Sequence, residues 1–307
     1  MASHTPGETP AYYIPHEGWY PVWLALSTCV MMLGLGSWLN TASAGEEPNT
    51  LFFWLGFGGL AIVLFQWFAK VVRENHAGLV SGQLKRSYVW GMGWFIFSEV
   101  MFFAAFFGAL FYARNLAVAW LGGDGAKGIT GDYLWPEFEN TWPVVNNPNP
   151  EVFTNPGESM APPSTASAWA GYLPLWNTVI LLTSSVTVHF AHTALKNDNR
   201  NRFITWLGLT VALGIIFLIL QGEEYIHAYQ ELGLTLESGI YGSTFFILTG
   251  FHGFHVTLGT FMLAVQLVRA IRGHFSHEDC FGFEASSWYW HFVDVVWVGL
   301  FFFVYLL

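Results

Sequence analysis

Residues 95–107 read FIFSEVMFFAAFF, in which Glu99 is the sole ionisable side chain. Outward from this run the apolar residues continue from about 88 to 120, with Arg114 as the one further charge. Such a segment is apolar on every face, and it is longer than the roughly 20 residues that carry a helix across about 30 Å of hydrocarbon. It therefore predicts a membrane-spanning helix. If that helix starts near Tyr88, Glu99 lies about eleven residues, or roughly 16 Å, inside it. Phe95, Phe102, Phe103 and Phe106 fall three, four or seven residues away and surround Glu99 on its own helix, which supplies no cation. A carboxyl at that depth is expected as the neutral acid. Two readings stay open for it: a buried carboxylate with a proton-linked or regulatory role, or an acid hydrogen-bonded to a neighbouring helix.

The same pattern recurs along the chain. Of 307 residues, 53% are hydrophobic and only 10% charged, against roughly 25% charged in soluble domains. Apolar windows fall near 22–40, 51–72, 88–120, 171–194, 203–226, 240–270 and 284–306, predicting an all-α polytopic membrane protein with seven transmembrane helices. The expected organisation is a tail over 1–21, a membrane domain over 22–307 and a long external loop over 121–170 between the third and fourth spans. That loop is rich in Pro, Asn, Gly and acid. It reads equally as a partner-contacting or surface-capping loop or as a disordered insertion. The first 21 residues carry no Lys or Arg and no small-residue cleavage site follows, so a removable signal peptide is not expected. Cys29 and Cys280 form no C-x-x-C and indicate neither a disulfide framework nor a cysteine zinc site. Half of the net charge of −10 lies in the long loop and reads as solvated surface, with nothing pointing to nucleic acid.

Lys70, Arg73, Lys85, Arg86, Lys196, Arg200, Arg202, Arg269 and Arg272 all flank even-numbered connections. Basic residues next to membrane crossings stay on the cytoplasmic side, so the N-terminus is expected inside and the C-terminus outside. A bacterial plasma membrane is the expected location, with the mitochondrial inner membrane as the alternative.

Further polar residues fall inside the spans as helix-spaced pairs: His189 and His192, Glu224 and His227, His252 and His255, His291 and Asp294. Such pairs occur in di-iron bundles and membrane haem proteins, so a membrane-embedded haem or di-iron protein is weighed as the alternative function. Depth speaks against one shared centre, because His192 falls near the inner end of its span and Glu224 near the outer end of its own. His255 and His291 remain the one pair that could approach. His192, Glu224, His252, His255, His291 and Asp294 are accordingly read as structural polar residues joining helices, with no metal ligand and no catalytic residue assigned. A retinal pump would need a Schiff-base lysine in the interior of a span, and a nucleotide-driven transporter a G-x-x-x-x-G-K-[ST] loop. Neither is present.

With those residues laid out, the chain resembles subunit III of the haem-copper cytochrome c oxidases. The resemblance rests on FIFSEVMFFAAFF at 95–107, LPLWNTVILLTSSVTVHFAH at 173–192, LQGEEYIHA at 220–228, YGSTFFILTGFHGFHVTLGT at 241–260 and FGFEASSWYWHFVDVVW at 281–297, with QWFAKVVRE at 66–74 extending it. It implies a two-helix bundle and a five-helix bundle around a V-shaped, lipid-filled cleft. It implies an accessory subunit beside the catalytic subunit I and subunit II of a proton-pumping enzyme that takes electrons from cytochrome c and reduces oxygen to water. Haem and copper would then lie in the partner subunits and not in this chain. The subunit would support proton uptake, bind structural phospholipid and protect the catalytic subunit from turnover inactivation. Glu99 matches the family's carbodiimide-reactive buried glutamate, and Trp67, Arg73, Glu74 and Arg269 match its lipid-binding positions. Two departures stand out: FAHT where many relatives read WAHH, and EYIHA where they read E-Y-x-E-A, which puts His227 at an acidic position.

Overall fold

The computed structural model describes residues 18–79, 81–125, 127–276 and 279–307; most of the 1–21 tail lies outside them. Seven helices are long and apolar enough to cross a membrane. They are α1 (Tyr20–Ser43), α2 (Leu51–His76), α3 (Gly82–Tyr112), α4 (Leu173–Lys196), α5 (Arg200–Gln230), α6 (Gly239–Ile271) and α7 (Phe281–Leu300). Widened π-helical turns at Ala113–Ala117 and Phe301–Leu306 carry α3 on toward Leu121 and α7 toward the C-terminus. Among the described residues there is no strand.

Several helices outrun their apolar windows. Hydropathy marks where hydrocarbon contact ends, whereas helix ends are set by capping and backbone chemistry. α5 begins at Arg200 because Asn199 caps it, its side chain accepting from the Arg202 amide at 3.2 Å. Pro174 fixes the first turn of α4, where its missing N–H costs nothing. At the far end of α2, Lys70 and Glu74 lie 3.9 Å apart one turn from each other and extend the helix past its apolar part.

The chain divides into two compact units, 1–91 and 92–307, with the division inside α3 between Gly91 and Met92. In the first, α1 and α2 pair antiparallel. Tyr20 stacks on Trp67 at 5.9 Å, and Trp38 meets Phe53 edge-on at 5.4 Å. Between these contacts the backbones close in, and Gly34 and Gly56 are the buried residues of the two helices. A Cβ on Gly34 would run into the Phe53 backbone and one on Gly56 into the Met31 backbone. Small residues permit this approach, which replaces the hydrophobic driving force that lipid does not supply.

The second unit has an aromatic core around α7. Trp290, Trp297, Tyr289 and Phe283 of α7 are fully buried, against Phe103, Phe203, Phe217 and Phe245 of the surrounding helices. Each buried indole N–H finds a hydroxyl on α4: Trp290 donates to Ser184 at 3.0 Å and Trp297 to Thr178 at 2.9 Å. α4 and α5 lie antiparallel, in register at Thr187 and Thr210, whose hydroxyls are 2.8 Å apart.

The segment after α3, which includes a short helix at Ile129–Leu134, caps one end of this unit. Gly157 N–H donates to Leu232 at 2.8 Å and Thr154 N–H to Glu237 at 3.0 Å, both in the α5–α6 connection. Met160 N–H donates to the Tyr241 hydroxyl at 3.0 Å, and Met160 accepts from the Tyr172 hydroxyl at 3.0 Å. Val144, Asn147 and Met160 are buried beneath it. These bonds pack the described part of the segment against the α5–α6 connection and the ends of α4 and α6.

Gly58 has open space around its Cβ position, unlike Gly56 two residues before it. Gly56→Ala is therefore expected to lower stability by about 1–3 kcal/mol through overpacking, and Gly58→Ala to leave it unchanged or slightly raised; thermal unfolding of the detergent-solubilised protein measures both.

Candidate functional site

Glu99 sits midway along α3 and meets a partner from α6. His255 Nε2 lies 2.9 Å from Glu99 Oε2. The other ring nitrogen, Nδ1, lies 2.6 Å from the Phe251 carbonyl one turn earlier on α6. A carbonyl can only accept, so Nδ1 carries a proton and donates it. A neutral imidazole then has a bare Nε2, which must accept from a protonated Glu99; the alternative is imidazolium donating to carboxylate. Both arrangements hold a single proton between Nε2 and Oε2, and both leave the pair with zero net charge. That neutrality makes the pair tolerable in apolar surroundings.

The phenylalanines around Glu99 on α3 enclose the pair. Phe103 meets the His255 ring edge-on at 5.0 Å, and Phe102 lies 5.9 Å from it. Phe102 and Phe106 also pack on Phe251 at 5.0 and 5.5 Å, which holds the residue whose carbonyl fixes the His255 tautomer. From α7, Tyr289 stacks parallel to both Phe95 and His255, at 5.9 and 6.3 Å. The buried Tyr289 hydroxyl has no hydrogen-bond partner among the described residues and lies in electrostatic reach of Glu99.

The other intramembrane polar residues are distributed among separate partners. His252, one turn before His255, places Nε2 3.2 Å from the Val293 carbonyl of α7 and is boxed by Phe217 and Trp297. His291 turns to α4, with Nδ1 2.9 Å from Ser185, and lies 3.5 Å from Asp294 on its own helix. His255 and His291 thus face different neighbours and do not form a pair. Glu224 accepts from the Tyr305 hydroxyl. His227 lies at the end of α5, 3.0 Å from Glu231. His189 is exposed.

At the end of the unit opposite the cap, His192 and Lys196 of α4 lie 3.3 and 2.8 Å from Glu284 in the first turn of α7. The acid at a helix start and the base at a helix end both complement their helix dipoles. Lys196 also donates to Cys280 at 3.3 Å, and burial pushes the Cys280 thiol up. Among the described residues no three His, Cys, Asp or Glu side chains gather as metal ligands. Among the described residues the donors therefore do not assemble a di-iron centre.

Of the residues expected to bind lipid, Trp67 stacks on Tyr20 and Glu74 lies near Lys70. Arg73 stands in the last turn of α2. Arg269, in the last turn of α6, donates to Gln266 at 3.0 Å and lies over the Phe275 ring at 4.6 Å.

The model of one protein family, cytochrome c oxidase subunit III, matches residues 10–126 and 155–307. The chain belongs to the cytochrome c oxidase subunit III family. The 127–154 gap in the match falls within the capping segment. Cytochrome c oxidase subunit 3 of Gazella leptoceros is 37% identical over 300 residues, and that of Dugong dugon 36% over 299, each alignment covering 97% of both chains. The subunit of Sus scrofa is 36% identical over 304 residues, with the same coverage.

Sequence reasoning named Glu99 and His255 separately and did not join them. It missed Glu284, Tyr305 and Ser185 as partners. Glu284 alone carried a signal, an acid placed at the start of an apolar span. Glu99→Leu leaves the buried Nε2 without its partner and is expected to cost about 1–3 kcal/mol. Glu99→Gln, whose amide can still donate to Nε2, should cost less than half of that. Thermal unfolding of the two variants measures the difference.

Proposed function

We propose that this chain is the accessory subunit III of a proton-pumping cytochrome c oxidase, seated beside the catalytic subunit I and subunit II in a respiratory membrane. In that assembly the partners hold the haem and copper and take electrons from cytochrome c to reduce oxygen to water. The observation that carries this reading is the family match across nearly the whole chain. The separate partners of the buried histidines and acids support it, because among the described residues no three of them gather as metal ligands and His255 and His291 face different helices. The excess of basic residues on even-numbered connections supports an N-terminus inside and a C-terminus outside, and the inserted stretch at 127–154 supports a bacterial plasma membrane.

Within this reading Glu99 and His255 are a proton-linked pair. Their shared proton moves between two atoms 2.9 Å apart without changing net charge. A further proton entering the pair would leave a protonated acid against an imidazolium, so the site can hold a charge only briefly in its apolar surroundings. Such a site is suited to sustaining proton uptake by a neighbouring subunit rather than to redox chemistry. Arg73 and Arg269 each stand at a helix end and offer a guanidinium fork to a phospholipid phosphate, with Trp67 and Glu74 as further lipid-binding positions on α2. Retained lipid would sustain the complex against inactivation during turnover.

Affinity purification through this chain is expected to bring down the haem- and copper-bearing oxidase subunits, while the chain separated from them shows no haem absorption. A haem or iron centre that stays with the separated chain, and bleaches in His255→Ala or His291→Ala, would establish the alternative instead. In the assembled enzyme, Glu99→Gln should retain oxygen reduction and alter proton uptake; loss of all electron transfer would make Glu99 catalytic. Arg73→Ala and Arg269→Ala, tested one at a time, should each lower the co-purified phospholipid and hasten inactivation. Unchanged lipid content would remove the arginines from that role.

A further inference from the structure

At the capped end of the second unit, three polar side chains are buried without a full set of partners. Asn177 and Glu224 are 0% exposed and Gln221 5%. Both amide atoms of Asn177, both of Gln221 and the Oε2 of Glu224 have no hydrogen-bond partner among the described residues. Buried polar atoms are nearly always paired, with protein or with ordered water.

The register of the helices places these residues at one level of the unit. α4 and α5 run antiparallel with Thr187 opposite Thr210. Ten residues from Thr187 toward the cap lies Asn177, and eleven from Thr210 in the same direction lies Gln221, so the two share a level. Glu224 follows Gln221 by three residues on the same face of α5. It lies in electrostatic reach of the Gln221 amide, though outside hydrogen-bonding geometry for its free oxygen. α7 closes the site: Trp297 is bonded to Thr178, next to Asn177, and Tyr305 donates to Glu224 Oε1.

The titratable neighbours of Glu224 are phenols from every side: Tyr305 of α7, Tyr225 of α5 itself, Tyr241 of α6 and Tyr172 at the start of α4. His227, three residues on along α5, is engaged with Glu231 at 3.0 Å, and none of the phenols is a cation that would balance a carboxylate, so the site holds the acid. Two of these phenols join the site to the capping segment, because Tyr172 and Tyr241 are bonded to the carbonyl and the amide of the buried Met160.

The chemistry of the unmatched atoms selects their ligand. Two are amide nitrogens, which donate, two are amide oxygens, which accept, and the fifth is Oε2 of the protonated Glu224, which carries the acid proton and donates it because Oε1 accepts from Tyr305. A metal cation would use the oxygens and leave the nitrogens bare. Water donates and accepts, and a buried water takes two to four such partners. We propose that Asn177, Gln221 and Glu224 form a binding site for internal water, and that this water carries exchange of the Glu224 carboxyl proton with solvent beneath the capping segment. The proposal stands independently of the oxidase reading.

The test is infrared spectroscopy of the protein purified with its native partners, transferred from H2O to D2O, with Glu224→Gln identifying the Glu224 carboxyl band. The band is expected to shift on transfer well before the helix amides exchange. N177L/Q221L, which removes the water ligands and keeps the acid, should lose that early shift. A wild-type band that shifts only with the helix amides, or a Glu224 that gives no protonated-carboxyl band, would overturn the proposal. A high-resolution map of the unaltered protein decides it without any variant: ordered density within hydrogen-bonding distance of both amides is expected, and its absence would overturn the site.

Discussion

In hydrocarbon no solvent competes for a buried polar group, so a partner inside the protein stabilises it and its absence is costly. This constraint organises the five helices of the second unit. α7 is its centre because it carries the two indoles whose N–H groups reach Ser184 and Thr178 on α4. The same constraint ties α3 to α6 through Glu99 and His255, and α6 to α7 through His252 and the Val293 carbonyl. Aromatic packing fills the space between these bonds, and the bonds fix which faces meet.

The first unit meets the constraint differently. α1 and α2 bury almost no polar side chains, and their pairing rests on backbone approach at Gly34 and Gly56. Most of their surface stays apolar and exposed, as suits helices whose neighbours are lipid or another subunit. Where glycines give closeness and aromatic stacking gives register, no polar partner is required.

The seven spans were legible in the sequence because hydrocarbon thickness imposes a minimum apolar length, and each window found its helix. Helix ends were less legible, since Asn199, Pro174 and the Lys70–Glu74 contact act beyond the apolar stretch. Three-residue spacing correctly put His252 and His255 on one broad face of α6. It could not tell that the modest angular offset between them directs one ring to α7 and the other to α3. The partner of Glu99 lies 156 residues away in the chain, and no local pattern encodes a contact of that range. The capping segment was undecided by its composition because its order comes from backbone bonds to the α5–α6 connection, which leave no periodic signature.

The central claim is that Glu99 and His255 share one proton, with the tautomer fixed by the Phe251 carbonyl. Nitrogen-15 NMR of the histidine-labelled protein tests it most directly, with His255 assigned by comparison with a His255→Asn variant. The account predicts a protonated Nδ1 and an Nε2 signal that changes when Glu99 becomes Gln. A His255 whose Nδ1 is bare, or whose Nε2 signal ignores the Glu99→Gln substitution, would contradict it.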